Sequence, residues 1–179
     1  KGQLLCLEQT EIQMNPPDLW LIFAPIKKLR TDFIVEKAVE LGARKILPVQ
    51  TEFTNSERIR QDRLQAHATE AAEQCGAMFV PEVCTLAKLN KVLADWRQER
   101  QLLFCDETKT GQSTSIAARQ ADKWAILIGP EGGFSQNERE YITNMENSQS
   151  ISLGPRILRA ETAVVAALAV WQSRLGDWA

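Results

Sequence analysis

The chain has 179 residues, of which 44% are hydrophobic and 25% charged, with a formal net charge of −2. That length suffices for one domain burying roughly 70% of its unfolded surface without disulfide or metal staples. The near-neutral balance gives no overall attraction to nucleic acid, and neither a membrane-spanning apolar run nor a signal-peptide layout is present, so a cytoplasmic setting is expected.

In chain order, residues 2–14 carry Leu4-Leu-Cys-Leu7 and an alternating tail, which reads as strand material or a connection from an upstream domain. Asn15-Pro-Pro-Asp18 breaks it, and the apolar run 19–24 predicts a strand covered on both faces. Phe33, Ile34, Ala38 and Leu41 fall at helical spacing over 31–41, with Thr31 or Asp32 as N-cap and Gly42 as stop. A strand over 44–49 and a long helix over 56–75, closed by Gly76, come next. An extended piece over 79–83 leads to an amphipathic helix over 86–96. A strand over 101–105 ends in Asp106-Glu107, and the polar loop 108–115 leads to a short helix over 116–121. Strands over 124–128 and 150–153 flank a helix over 136–145. The last helix, 160–175, is apolar nearly all round, so it must be covered on every side; its outer face predicts a second copy of the chain as partner.

Strands alternating with helices predict an α/β protein with a mostly parallel sheet of five or six strands. Neither a dinucleotide fingerprint nor a P-loop is present. Cys6, Cys75, Cys84 and Cys105 show no Cys-x-x-Cys spacing and read as reduced, mostly packed thiols. With His67 the lone histidine, neither a zinc site nor a Ser-His or Cys-His hydrolase has enough members, and no metal is assigned. Lys27, Lys28 and Arg30 crowd one loop, and Arg58, Arg60 and Arg63 crowd the start of the long helix. Of these, Lys27, Lys28, Arg30 and Arg58 are the candidate phosphate contacts.

Two late stretches concentrate the chemistry: Leu127-Ile-Gly-Pro-Glu-Gly-Gly-Phe134 and Leu153-Gly-Pro-Arg-Ile-Leu-Arg-Ala-Glu-Thr-Ala163. Each reads as strand, loop, helix, and such loops at the carboxyl ends of parallel strands are where open α/β sheets bind ligands. The two are expected to close on one small molecule. Three glycines within Gly129, Pro130, Glu131, Gly132 and Gly133 expose bare backbone, while Arg156, Arg159 and Glu161 put three charges beside an apolar segment.

These two stretches resemble the signature of the SPOUT-class methyltransferases that modify N3 of a uridine in small-subunit ribosomal RNA. Val35-Glu-Lys-Ala-Val-Glu-Leu-Gly42 and Glu70-Ala-Ala-Glu-Gln-Cys-Gly76 extend the likeness back to about Leu19. The family usually has Arg after the latter motif, where Ala77 stands here. The resemblance implies an α/β fold with a carboxyl-terminal deep trefoil knot holding S-adenosylmethionine, a homodimer, and a ribosomal RNA substrate. It also implies that residues 1–15 are a remnant of, or linker from, an amino-terminal PUA-like RNA-binding domain, with 16–179 as the methyltransferase domain. The cofactor would then lie against Leu127, Ile128, Gly129, Pro130, Glu131, Gly132, Gly133, Leu153, Gly154, Ile157, Leu158 and Thr162. Arg156 and Arg159 would favour a deprotonated N3, or one of them would hold the base or a phosphate. Glu161 either removes a proton or, slightly favoured, pairs with Arg156 or Arg159 at the head of the last helix; Glu131 orders its loop or meets the ligand. A ribose 2′-O-methyltransferase and a non-catalytic RNA-binding or assembly factor are the rival readings.

Overall fold

The structure, a computed structural model, describes residues 2–55, 58–111, 116 and 121–179. Its elements are β1 (Asp18–Phe23), α1 (Lys28–Glu40), β2 (Lys45–Gln50), α2 (Gln61–Cys75), β3 (Glu82–Val83), β4 (Ala87–Lys88), α3 (Leu89–Ala94), β5 (Arg100–Cys105), β6 (Lys123–Ile128), α4 (Gln136–Thr143), β7 (Ser148–Ile151) and α5 (Ala160–Leu175). The strands form a sheet in the order β3-β2-β1-β6-β5-β7, with β4 also on β2, and every pairing is parallel. The expected mostly parallel α/β arrangement is borne out, with seven strands among the described residues instead of five or six.

The apolar strands are apolar throughout because both faces are covered. Leu19, Leu21, Phe23, Leu103, Trp124, Ile126 and Ile128 join the core under α1, α2 and α5. The alternate residues Ile22, Leu102, Phe104, Ala125 and Leu127 join a second core with α3, α4 and Phe134. Successive side chains on a strand point to opposite faces, so the two sets cannot mix. Arg100, only 6% exposed, pins the amino ends of the central strands. It donates to the carbonyls of Asp18 and Trp124, each at 3.0 Å, pairs with the Asp18 carboxylate at 2.9 Å and lies 3.7 Å from the Trp20 ring centre.

The strand order has a consequence for the late loops. β7 pairs with β5, not with β6, so the segment leaving β6 must cross β5 before it adds the edge strand. The chain then returns from that edge to α5, which packs on α1 and β6. Three loops, after β5, β6 and β7, therefore gather at one end of the sheet.

Several expected boundaries move. Residues 2–14 form no strand, and Leu4, Leu5, Leu7 and Ile12 are exposed. α1 starts at Lys28, ahead of the expected 31, with Thr31 as a first-turn residue whose hydroxyl bonds both the N–H and C=O of Ile26. α2 begins at Gln61 instead of 56, since Arg60 is extended at its N-cap. The expected helix over 86–96 gives its first turn to β4 and runs only over Leu89–Ala94. β7 sits two residues earlier than 150–153, because an edge strand tolerates the polar Ser148-Gln-Ser150. The helix over 116–121 lies outside the described residues except at its ends. Cys105 is buried and Cys84 half-buried, but Cys6 and Cys75 are exposed, so the thiols are not mostly packed.

The outer face of α5 stays partly open. Val164, Ala167, Leu168 and Trp171 turn inward, whereas Ala163, Val165, Ala166, Ala169 and Val170 are only half-buried. No helix among the described residues is long and apolar enough to cross a membrane.

Candidate functional site

The three loops enclose a cavity of ≈ 230 Å³. Ile128, Gly129, Pro130, Glu131 and Gly133 line it from the loop after β6, and Leu153, Gly154, Arg156, Ile157, Leu158 and Arg159 from the loop after β7. The expectation that the two loops close on a common space is met. A third wall, Cys105, Asp106, Glu107 and Thr110 from the loop after β5, was not among the expected site residues. Its sequence signal was the pair of carboxylates ending an apolar strand.

The glycine loop is shaped by what its missing side chains would hit. A Cβ on Gly129 would stand 2.6 Å from the Phe134 ring, which is buried edge-on against Phe104 with centroids 5.0 Å apart. Gly133 has φ +70° and closes a turn by donating to the Pro130 carbonyl at 2.9 Å; a Cβ there would collide with the Glu107 carboxylate. Gly133→Ala is therefore expected to weaken binding of a cavity ligand about tenfold, since roughly 1–3 kcal/mol of left-handed strain adds to displacement of a wall residue. Isothermal titration of the ligand against both proteins checks it.

The start of the loop after β5 is tied down by side-chain bonds. Asp106 accepts from the N–H of Thr108 at 3.0 Å and from its hydroxyl at 2.7 Å. Arg139 of α4 pairs with Asp106, donates to Glu107 Oε1 at 2.7 Å and donates to the Phe134 carbonyl at 3.2 Å. One guanidinium thus ties the loop after β5 to the loop after β6, while Ser135 and Glu138 form a capping box that fixes the start of α4. The loop after β7 joins them through the Gly111 N–H, which donates to the Gly154 carbonyl at 3.0 Å.

Three of the expected cofactor residues do not line this cavity. Leu127 is fully buried in the opposite core, as the pleat requires of a neighbour of the cavity-lining Ile128. Gly132 faces Phe53, with a Cβ position 3.1 Å from the Phe53 Cβ. Thr162 is exposed on the first turn of α5.

Arg156 and Arg159 both line the cavity, are exposed, and have no carboxylate partner among the described residues. Glu161 does not line it, and its partner is neither arginine. Arg30 takes that place, with Nε 3.4 Å from Glu161 and Nη1 3.5 Å from Glu131, so one cation of α1 bridges both late segments. The second Glu161 oxygen is buried without a hydrogen bond.

A second cavity of ≈ 290 Å³ lies between the starts of α1 and α2, lined by Lys28, Arg58, Arg60 and Arg63 with Asp32. Arg60 is held by Asp62 at 2.6 Å and Arg63 by the buried Asp32, which leaves Lys28 and Arg58 without acidic partners among the described residues. The structure thus brings Lys28 and Arg58 together, while Arg30 is committed to Glu131 and Glu161; Lys27 is the N-cap residue of α1.

A parallel sheet that releases three consecutive late loops into one cavity makes an open α/β ligand-binding domain, and its fold is that of solved RNA methyltransferases. The chain matches the RNA methyltransferase domain family over residues 13–172 and belongs to that family. Ribosomal RNA small subunit methyltransferase E of Rickettsia conorii is 29% identical over 165 residues, covering 90% of this chain and 67% of the relative. The structure of ribosomal RNA small subunit methyltransferase E from Neisseria gonorrhoeae bound to S-adenosyl methionine matches with a TM-score of 0.85 at 30% identity, covering 96% of this chain and 72% of that one. A putative methyltransferase from Legionella pneumophila, in complex with bound cofactor SAM, matches at 0.78 and 28% identity, covering 93% and 71%.

Proposed function

We propose that this chain is the catalytic domain of an S-adenosylmethionine-dependent methyltransferase that modifies N3 of a uridine in small-subunit ribosomal RNA. The observation that carries the reading is the three-loop cavity, which unites apolar walls, bare glycine backbone and two arginines with no carboxylate partner among the described residues. The residues fit the methyl donor. Ile128, Ile151, Leu153 and Leu158 offer flat apolar surface for an adenine, and the Gly129–Gly133 and Gly154 segments offer backbone groups to its edges and to a ribose. Family membership and the cofactor-bound relatives support the same assignment.

When bound, S-adenosylmethionine supplies an electrophilic methyl carbon on a sulfonium. The protein's part is to present the base in line with that carbon and to favour its nucleophilic form. Arg156 and Arg159, placed in the cavity wall and unpaired with any carboxylate among the described residues, favour the N3 anion over the protonated uridine. The apolar lining from Ile128, Ile151, Leu153 and Leu158 would favour a transfer in which opposite charges cancel. Glu161, held by Arg30 outside the lining, serves the loops as a structural acceptor.

Lys28 and Arg58 would meet the RNA backbone. Their double alanine variant is expected to lower the slope of log Kd against log salt by about 1–2 and to weaken binding evenly across RNA sequences, as filter binding over a salt series would show. The half-buried apolar stripe of α5 would be covered by a second copy of the chain, and the late segments would thread as a trefoil knot, as expected for the class.

The deciding experiment incubates the protein with S-adenosylmethionine and small-subunit RNA, then analyses the nucleosides by mass spectrometry. Base-methylated uridine supports the proposal. A ribose-methylated nucleoside moves the chain to 2′-O chemistry, and binding without product makes it an assembly factor.

A further inference from the structure

We propose that Glu107, from the loop after β5, provides the carboxylate that meets the positively charged part of the bound methyl donor. This rests on reading the three-loop cavity as the donor site. Three carboxylates line that cavity, and their situations differ. Asp106 is 5% exposed and already engaged by Thr108 and Arg139. Glu131 is bridged by Arg30 at the rim, with its side chain 44% exposed. Glu107 combines a fixed position with a spare oxygen: Oε1 is held by Arg139 at 2.7 Å, the side chain is 33% exposed, and Oε2 has no hydrogen bond among the described residues.

The surroundings fix that carboxylate in the cavity wall. Gly133 passes so close to Glu107 that no side chain fits between them, which seats the carboxylate directly on the glycine loop. The cavity's cations, Arg156 and Arg159, come from the loop after β7, so Glu107 and these two cations stand on different loops. A donor with a cationic amino-acid end complements Glu107, and an anionic nucleobase or phosphate the two cations. The donor has two cationic groups, the α-ammonium and the sulfonium, and either would be stabilised by a carboxylate held in the cavity wall.

The test is ligand discrimination by titration calorimetry with wild type, Glu107→Gln and Glu107→Ala. S-adenosylmethionine carries both cations, S-adenosylhomocysteine only the ammonium, and methylthioadenosine neither. The expected result is that both variants bind S-adenosylmethionine at least about tenfold more weakly while methylthioadenosine stays within about twofold. S-adenosylhomocysteine falling with S-adenosylmethionine names the ammonium; S-adenosylhomocysteine spared names the sulfonium. Equal losses for all three ligands would show that Glu107 only organises the loop, and no loss for any would show that it touches nothing; either overturns the inference. Failure of the wild type to bind S-adenosylmethionine would instead overturn the reading of the cavity.

Discussion

Arg159→Ala is expected to lower the rate of RNA methylation about 100-fold while changing the Kd for S-adenosylmethionine less than about threefold, the usual scale for removing a charge aimed at a reacting group. Arg159 is exposed in the cavity wall and has no acidic partner among the described residues, so its charge is unspent in the free protein. Its loss leaves the apolar walls and the glycine backbone in place. Single-turnover rates and equilibrium titration measure the two quantities separately. Equal losses in both would mean that the arginine organises the loop, and recovery by lysine would show that charge suffices without the planar fork.

Arg139→Ala is expected to cost about 3 kcal/mol, because Asp106 is left as a buried carboxylate with its cation gone. For a chain of this size that corresponds to a fall in Tm of roughly 6–12 °C. The same change frees Glu107 and the Phe134 carbonyl, the other two groups the guanidinium holds, so the loops after β5 and β6 lose their common tie. Donor affinity is expected to drop with stability, which distinguishes this residue from Arg159. Thermal melts with and without S-adenosylmethionine read both effects: the ligand-induced rise in Tm should shrink as well as the baseline. A variant that melts normally but binds poorly would show that Asp106 finds another partner.

The central strands were legible because burial on both faces leaves their middles apolar: the runs around Leu21, Phe104 and Ile126 announce themselves. The glycine loop was legible for a similar reason, since residues forced by close approach, such as Gly129 and Gly133, are rare enough to stand out when clustered. The wall after β5 was not. Asp106 and Glu107 resemble any polar strand ending until Arg139, more than thirty residues further on, shows that they are held in place. Leu127 and Thr162 belong to the same motifs, yet their side chains stand outside the cavity wall, because the pleat and the helix turn send neighbouring side chains to different sides.

Local sequence therefore determined the elements, the two glycine-proline loops and the apolar character of α5, because strand pleat, helix period and glycine freedom act within a few residues. Only the tertiary structure decided that β7 would pair with β5 beyond β6, bringing a third loop to the cavity, and that Glu161 would answer to Arg30 instead of its neighbours Arg156 and Arg159. Strand order and ion-pair choice depend on groups up to 131 residues apart, whose meeting is set by how whole layers pack.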